Sequence, residues 1–142
     1  MTAPWRQGCG ILFFDATNRR VLLFLRDNKP EIQFPDYIDK LGGIVEKGET
    51  PREAIVREMA EELTDLRTGN PYLLQDFDIF KVYIDRWNVE QHVFWKVADF
   101  GIDDVHLNEG KNLLWLTEEE AQTTILAFGI EAMIKEFFAA HA

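Results

Sequence analysis

The segment "GGIVEKGETPREAIVREMAEELTDL", residues 42 to 66, constrains this chain more than any other part of it. A glycine pair opens a short polar loop and a helix follows. Thr50 is its N-cap, Pro51 takes the first helical position, where a missing N–H costs nothing, and Glu53 completes a capping box. At 100° per residue Ile55, Met59, Leu63 and Leu66 form an apolar stripe, while Glu58, Glu61 and Glu62 fall within an arc of roughly 100° beside it. One flank packs, and the neighbouring flank is acidic. Thr64 is β-branched and poor in the left-handed conformation that ends many helices, so the helix is expected to end in another way, running on toward Gly69.

Two carboxylates ~4 Å apart repel by ~4 kcal/mol at an effective dielectric of ~20. A helix tolerates this if the groups diverge into water, gain basic partners or share a cation. Arg57 can pair with Glu61 at i, i+4, which gives a solvated face. Alternatively, clustered carboxylate oxygens suit a hard ion such as Mg²⁺ or Mn²⁺, which also binds substrate phosphates. Zinc is disfavoured, because neither histidine nor cysteine is nearby in the sequence.

Elsewhere, "CGILFFDA" and "RVLLFLRD" read as strands of a hairpin, and the polar stretch from Asn28 to Tyr37 as a loop. "KLGGIVE" reads as a short strand. "LLQDFDIFKVYIDRW" and "EQHVFWKVADF" read as a large antiparallel hairpin that bends near Asn88. "NLLWL" is a further strand, Thr117 with Glu120 repeats the capping box before a short helix, and "GIEAMIKEFFAAHA" has helical periodicity. Strands with intervening helices predict an α/β fold with helices on the faces of one sheet. A length of 142 residues, 46% of them hydrophobic, suits a single domain over residues 1–142.

The net charge of −10 repels nucleic acid polymers and anionic membranes, so a phosphate-bearing ligand must be captured locally, by a metal or a few basic residues. No apolar run approaches the ~20 residues of a membrane span, and the opening "MTAPWRQGCG" has no signal-like apolar region. The single cysteine, Cys9, excludes an internal disulfide and fits a cytoplasmic protein. The chain contains no serine, and Cys9 would have to recruit His92, His106 or His141, which argues against a side-chain nucleophile.

From Gly43, the stretch has Gly, five residues, Glu49, seven residues, then Arg57-Glu58-Met59-Ala60-Glu61-Glu62. This resembles the Nudix box of the Nudix hydrolase family, G-x5-E-x7-R-E-U-x-E-E-x-G-U, with U a bulky aliphatic residue. At roughly 7% usage per residue type, six fixed matches arise by chance with odds on the order of 10⁻⁷ per window. The box departs from the pattern at Thr64 and Asp65, which stand for glycine and the last aliphatic residue, and Leu41 stands where many members have proline.

The resemblance implies a Nudix fold, a mixed β-sheet in an α/β/α sandwich, in a small stand-alone MutT-like member. It implies that Glu58, Glu61 and Glu62 bind Mg²⁺ or Mn²⁺, helped by a backbone carbonyl of Gly42 or Gly43. It also implies that Arg57 orients the glutamates, that Glu49 braces the loop, that Glu58, Glu61 or Glu109 acts as general base, and that Arg26 contacts a substrate phosphate. Phe34, Tyr37, Trp87 and Phe128 are candidates to stack on a base, against an ordinary core role.

The implied activity is metal-dependent hydrolysis of the P–O–P bond of a nucleoside diphosphate derivative, a small-molecule nucleotide, by a monomer or homodimer. A nucleoside triphosphate, oxidised or not, cut to monophosphate and pyrophosphate leads; dinucleoside polyphosphates, nucleotide sugars and ADP-ribose are alternatives. Phe80 stands where ADP-ribose-specific members carry proline, and Tyr83 lies near the tyrosine of dinucleoside polyphosphate hydrolases. Outside this class stand a non-catalytic Nudix-fold nucleotide sensor or binding module, suggested by Thr64 and Asp65, and a prenyl diphosphate isomerase, which would need Cys9 as its catalytic cysteine.

Overall fold

The computed structural model describes residues 6–142; residues 1–5, part of the segment read above as lacking a leader, lie outside the described residues. The strands β1 (Arg6–Asp15), β2 (Arg20–Leu25), β3 (Ile38–Asp39) and β4 (Leu41–Ile44) precede the helix α1 (Pro51–Glu62). Then come β5 (Leu63–Asp65), β6 (Asn70–Pro71), β7 (Asp78–Ile84) and β8 (Val89–Val97). Last are β9 (Val105–Leu107), β10 (Asn112–Thr117), α2 (Glu118–Gln122) and α3 (Glu131–Ala140).

The large sheet runs β10-β2-β1-β8-β7, with β3 added to β2 and β4 to β1. β1 and β8 are parallel and the other pairings antiparallel, so the sheet is mixed. Alternation along β1 explains the layers. Cys9, Ile11 and Phe13 enter one core with Ile55 and Met59 of α1, and Leu12 and Phe14 enter another with Phe137 and Phe138 of α3. Because β1 is covered on both faces, it reads as the continuous apolar run "ILFF" rather than as an alternating strand. The result is the expected sandwich with a mixed sheet.

Both capping boxes form. The Glu53 N–H donates to Thr50 Oγ1 at 3.1 Å, and the Thr50 N–H donates to Glu53 Oε1 at 2.8 Å. Thr117 and Glu120 repeat the exchange at 3.2 and 2.9 Å. Asn88 takes a positive φ of 60° in the β7–β8 turn, as the bend required.

Three expectations need correction. The helix does not run toward Gly69: it stops at Glu62, and Leu63 caps it in extended geometry and begins β5. The apolar stripe therefore ends at Leu63, and Leu66 is 56% exposed. The long strand read from residue 73 begins only at Asp78; the preceding loop instead plugs the core with Leu74 and Phe77. Periodicity did not show the small sheet β6-β5-β9, whose strands are two or three residues long.

Candidate active site

The site is assembled where β4 meets α1. Gly42 pairs with Gly10 of β1, and at φ 152° any side chain on it would run into the Cys9 carbonyl. Gly43 has a different reason to be glycine: the Glu58 carboxylate lies where its Cβ would stand. The glycine pair thus lets an acidic helix approach the backbone of a strand.

Arg57 ties the loop to the helix. Its guanidinium donates to Glu49 through Nη2 at 2.7 Å and Nε at 3.1 Å, and through Nη2 to the Ile44 carbonyl at 3.0 Å. Nη1 reaches Glu58 at 2.8 Å and Glu61 at 3.3 Å. These bonds hold Glu49 below the usual carboxylate range and raise Arg57 further above neutrality. A planar fork spanning several acceptors is a task for arginine, which lysine does not perform.

The acidic residues divide by environment. Glu61 has a 59% exposed side chain and pairs with Arg57. Glu58 is half-buried, and desolvation raises its pKa against the opposing effect of Arg57, with Glu61 and Glu109 adding to the rise. Glu62 is 7% exposed; burial, followed by the charges of Glu58 and Glu109, pushes it up to about 9, and the Gly42 N–H offsets part of this. Its Oε2 is buried with no hydrogen-bond partner.

Glu109 is placed by its neighbours. Asn108 donates through Nδ2 to the Glu61 carbonyl at 2.9 Å and through its backbone N–H to the Glu62 carbonyl at 2.8 Å. Asn108 Oδ1 accepts from the Thr64 hydroxyl at 3.2 Å. These bonds satisfy two of the carbonyls left over at the end of α1, work that a left-handed glycine does in many helices, which is why Thr64 is tolerated there. On the other side, Gly110 N–H donates to Asp27 at 3.2 Å and Lys111 N–H to the Leu25 carbonyl at 2.8 Å.

A cavity of about 570 Å³ opens beside this cluster, lined by Gly42, Gly43, Glu62 and Glu109 at the acidic end and by Trp87 and Phe128 among its apolar walls. Its volume suits a ligand of nucleotide size. Trp87 and Phe128 pack with Phe34 at ring separations of 4.7 to 5.9 Å, and Tyr37 joins through Phe34 at 5.2 Å. Phe34 and Phe128 both sit at positive φ, 52° and 54°, which is unusual for bulky residues and is sustained by this ring packing.

Arg26 lines the cavity, but its guanidinium is engaged. It pairs with Asp39 at 3.1 Å, donates to the Gln33 carbonyl at 3.0 Å and lies 5.2 Å from the Phe128 ring centre. Phe80 packs on Phe137 of α3 at 5.3 Å. Tyr83 is not among the cavity residues, and its burial against the second core raises its phenol to about 12. Cys9 is buried, with its thiol likewise pushed up to about 12. Sequence reasoning missed Asp39, Lys40, Asn108 and Gln91, which carry no local signal and reach the site through strand pairing and loop contacts.

Among the described residues no three acidic side chains form a ready-made metal cage, since Arg57 lies across Glu58 and Glu61. The donors nevertheless fit a hard divalent cation. They are all oxygen, Glu62 presents an unpartnered buried carboxylate oxygen, and the burial and neighbouring negative charges that raise Glu58 and Glu62 are what such an ion would offset. Glu58, Glu61 and Glu62 would hold it, with Glu109 adjoining.

A family model described as "NUDIX domain" matches residues 4–137. No curated protein sequence matches the chain. Among solved structures, the chain is similar to MutT described from the fish pathogen Aliivibrio salmonicida and from Vibrio cholerae, at 17% identity and a TM-score of 0.73, over 95% of this chain and 98% of that one. It is also similar to the MutT NUDIX hydrolase of Burkholderia pseudomallei, at 22% and 0.68, over 92% and 95%. The NUDIX domain of Shewanella oneidensis NrtR, solved in complex with ADP ribose, matches at 14% and 0.74, over 100% and 91%. At these identities the likeness is one of fold.

Proposed function

Because the chain belongs to the NUDIX domain family, we propose that this Nudix-type pyrophosphohydrolase is Mg²⁺-dependent and cuts a nucleoside triphosphate to the monophosphate and pyrophosphate. The observation that carries this reading is Glu62, a buried carboxylate with an unpartnered oxygen, set against Glu58 and Glu109 at the acidic end of a nucleotide-sized cavity.

Glu58, Glu61 and Glu62 would hold Mg²⁺, which would supply neutralisation of the phosphate oxygens and a lowered pKa for water. The residues supply the rest. Arg57 fixes the direction of Glu58, and Glu49 fixes Arg57. Glu58, Glu61 and Glu109 are the carboxylates available to take the proton of the attacking water; burial makes Glu58 more basic than an ordinary carboxylate. As coupled groups they titrate as a set. Water oxygen bonds to one phosphorus of the bridge, the P–O bond between that phosphorus and the bridging oxygen breaks, and the other fragment, pyrophosphate or the monophosphate, leaves with the bridging oxygen. Trp87 and Phe128 offer ring faces and edges to a base at the apolar walls.

The test is incubation with Mg²⁺ and a panel of nucleoside triphosphates, oxidised nucleotides, dinucleoside polyphosphates, nucleotide sugars and ADP-ribose, with products separated by chromatography. ADP-ribose belongs in the panel because the Shewanella NUDIX domain was solved with it. Turnover should fall at least a hundredfold in Glu62→Gln. Full activity in that variant refutes the metal-site reading, and nucleotide binding without any product favours a sensor.

A further inference from the structure

Resting on the pyrophosphohydrolase reading above, we propose that Lys40 holds an anionic phosphate oxygen of the substrate, the role that the family resemblance gives to Arg26. The argument begins in β1, where Gly8 and Gly10 alternate with Cys9 and so share one face. Neither has a side chain, and two long polar side chains lie flat across them. Gln91 of β8 covers Gly8, and the stem of Lys40, from the link between β3 and β4, covers Gly10. Lys40, Gln91 and Gly42 all line the cavity. The glycines make a floor, and the lysine lies on it.

Electrostatics set Lys40 apart from Arg26 and Lys29, two other cations of the same lining. Both oxygens of its neighbour Asp39 are engaged: Oδ1 accepts the backbone N–H of Lys40 at 2.7 Å and Oδ2 accepts Arg26 at 3.1 Å. Arg26 is further engaged by the Gln33 carbonyl, and Lys29 faces Asp27 at 3.7 Å. Lys40 is half-buried as a residue, and among the described residues its ammonium has no ion pair and no hydrogen bond. An ammonium with no partner in the protein is free to take an anion that a ligand brings. A chain of net charge −10 repels phosphate at long range, so a cation on the cavity floor, in the same lining as Glu62 and Gly42, gives a phosphate oxygen a local partner outside the metal set. An ammonium with three rotatable donors suits one oxygen of variable direction, whereas the guanidinium of Arg26 is fixed by its own partners.

The experiment is isothermal titration calorimetry of inorganic pyrophosphate into the full chain in EDTA, which removes any metal contribution. Lys40→Met should bind at least tenfold more weakly than wild type, and Lys40→Arg should stay within about threefold of it. Gly10→Ala, whose added methyl runs into the lysine stem, should weaken binding in the same direction. Lys135→Met, which removes the same charge from an exposed position on α3 outside the cavity, should bind as wild type. In turnover, Lys40→Met should raise KM with kcat little changed. Wild-type affinity in Lys40→Met or in Gly10→Ala, or no pyrophosphate binding by the wild type itself, overturns the proposal. Because calorimetry needs no hydrolysis, this failure is distinct from that of the hydrolase reading, which shows as absence of metal-dependent product above the Glu62→Gln control.

Discussion

Replacing Glu62 with glutamine should stabilise the metal-free protein, by an amount that grows with pH. Burial and the neighbouring carboxylates raise the Glu62 pKa from 4.5 to about 9. Between those two values the folded chain keeps a proton that the unfolded chain has released, so each unit of rising pH favours unfolding by about 1.4 kcal/mol. The stability associated with this group is complete below pH 4.5 and is lost progressively until the pH passes 9. At pH 7 the loss is about 3 kcal/mol, and at pH 5 it is under about 1 kcal/mol. Glutamine keeps the shape and cannot ionise, so Glu62→Gln should exceed wild type by about 3 kcal/mol at pH 7, roughly 10 °C in Tm for a chain of this size. The assay is urea and thermal unfolding of both proteins in EDTA at pH 5, 7 and 8, repeated with Mg²⁺. Saturating Mg²⁺ should raise wild-type stability by about 3 kcal/mol at a hundred times its Kd, and much less in the variant. Equal stability of the two proteins at pH 8 in EDTA would refute the argument that Glu62 is a desolvated acid.

Gly43→Ala places a methyl group in the space of the Glu58 carboxylate, so kcat/KM should drop at least tenfold in steady-state assays while Tm moves by only a few degrees. Asn108→Ala leaves the Glu61 carbonyl and the Thr64 hydroxyl without their partner. It should cost about 1–2 kcal/mol in denaturant titration and lower kcat through Glu109. Thr50→Ala removes the N-cap of α1 and should cost about 1 kcal/mol of stability, with activity per folded molecule unchanged at a temperature well below Tm.

The layers of the fold were legible where a residue's surroundings repeat with a local period. The run Ile11 to Phe14 is apolar at every position because β1 is buried on both faces, and α1 announces itself through Thr50, Pro51 and Glu53 before its apolar stripe begins. Periodicity failed where long-range contacts decide. Leu66 continues the helical spacing, yet the chain has already turned into β5, because pairing with β9 uses the backbone that another helical turn would have consumed. Leu74 and Phe77 look like strand residues by composition, but they serve as a plug held by packing, with Arg52 donating to the Phe77 carbonyl at 3.0 Å and lying over its ring.

The same division governs the site. Glu58, Glu61 and Glu62 were visible together because one helix carries them all, and Arg57 and Glu49 because their spacing resembles a known box. Thr64 looked like a defect in that box. Its hydroxyl meets Asn108, forty-four residues away in the chain, and Asn108 then supplies the donors that the end of α1 lacks. A departure from a local motif had been offset by a contact that no local motif records. Lys40 is the converse case. Nothing in "DYIDKLGG" marks its lysine as different from Lys47 or Lys135, and only the pairing of β4 with β1 brings it over Gly10. Arg26, the residue a sequence comparison favours, sits at a strand end that faces the cavity, but Asp39 and the Gln33 carbonyl hold its Nη1 and Nε and fix the direction of its guanidinium. Motif position therefore identifies which residues reach the ligand cavity, while the partners each already holds decide which of them has binding capacity left for the ligand.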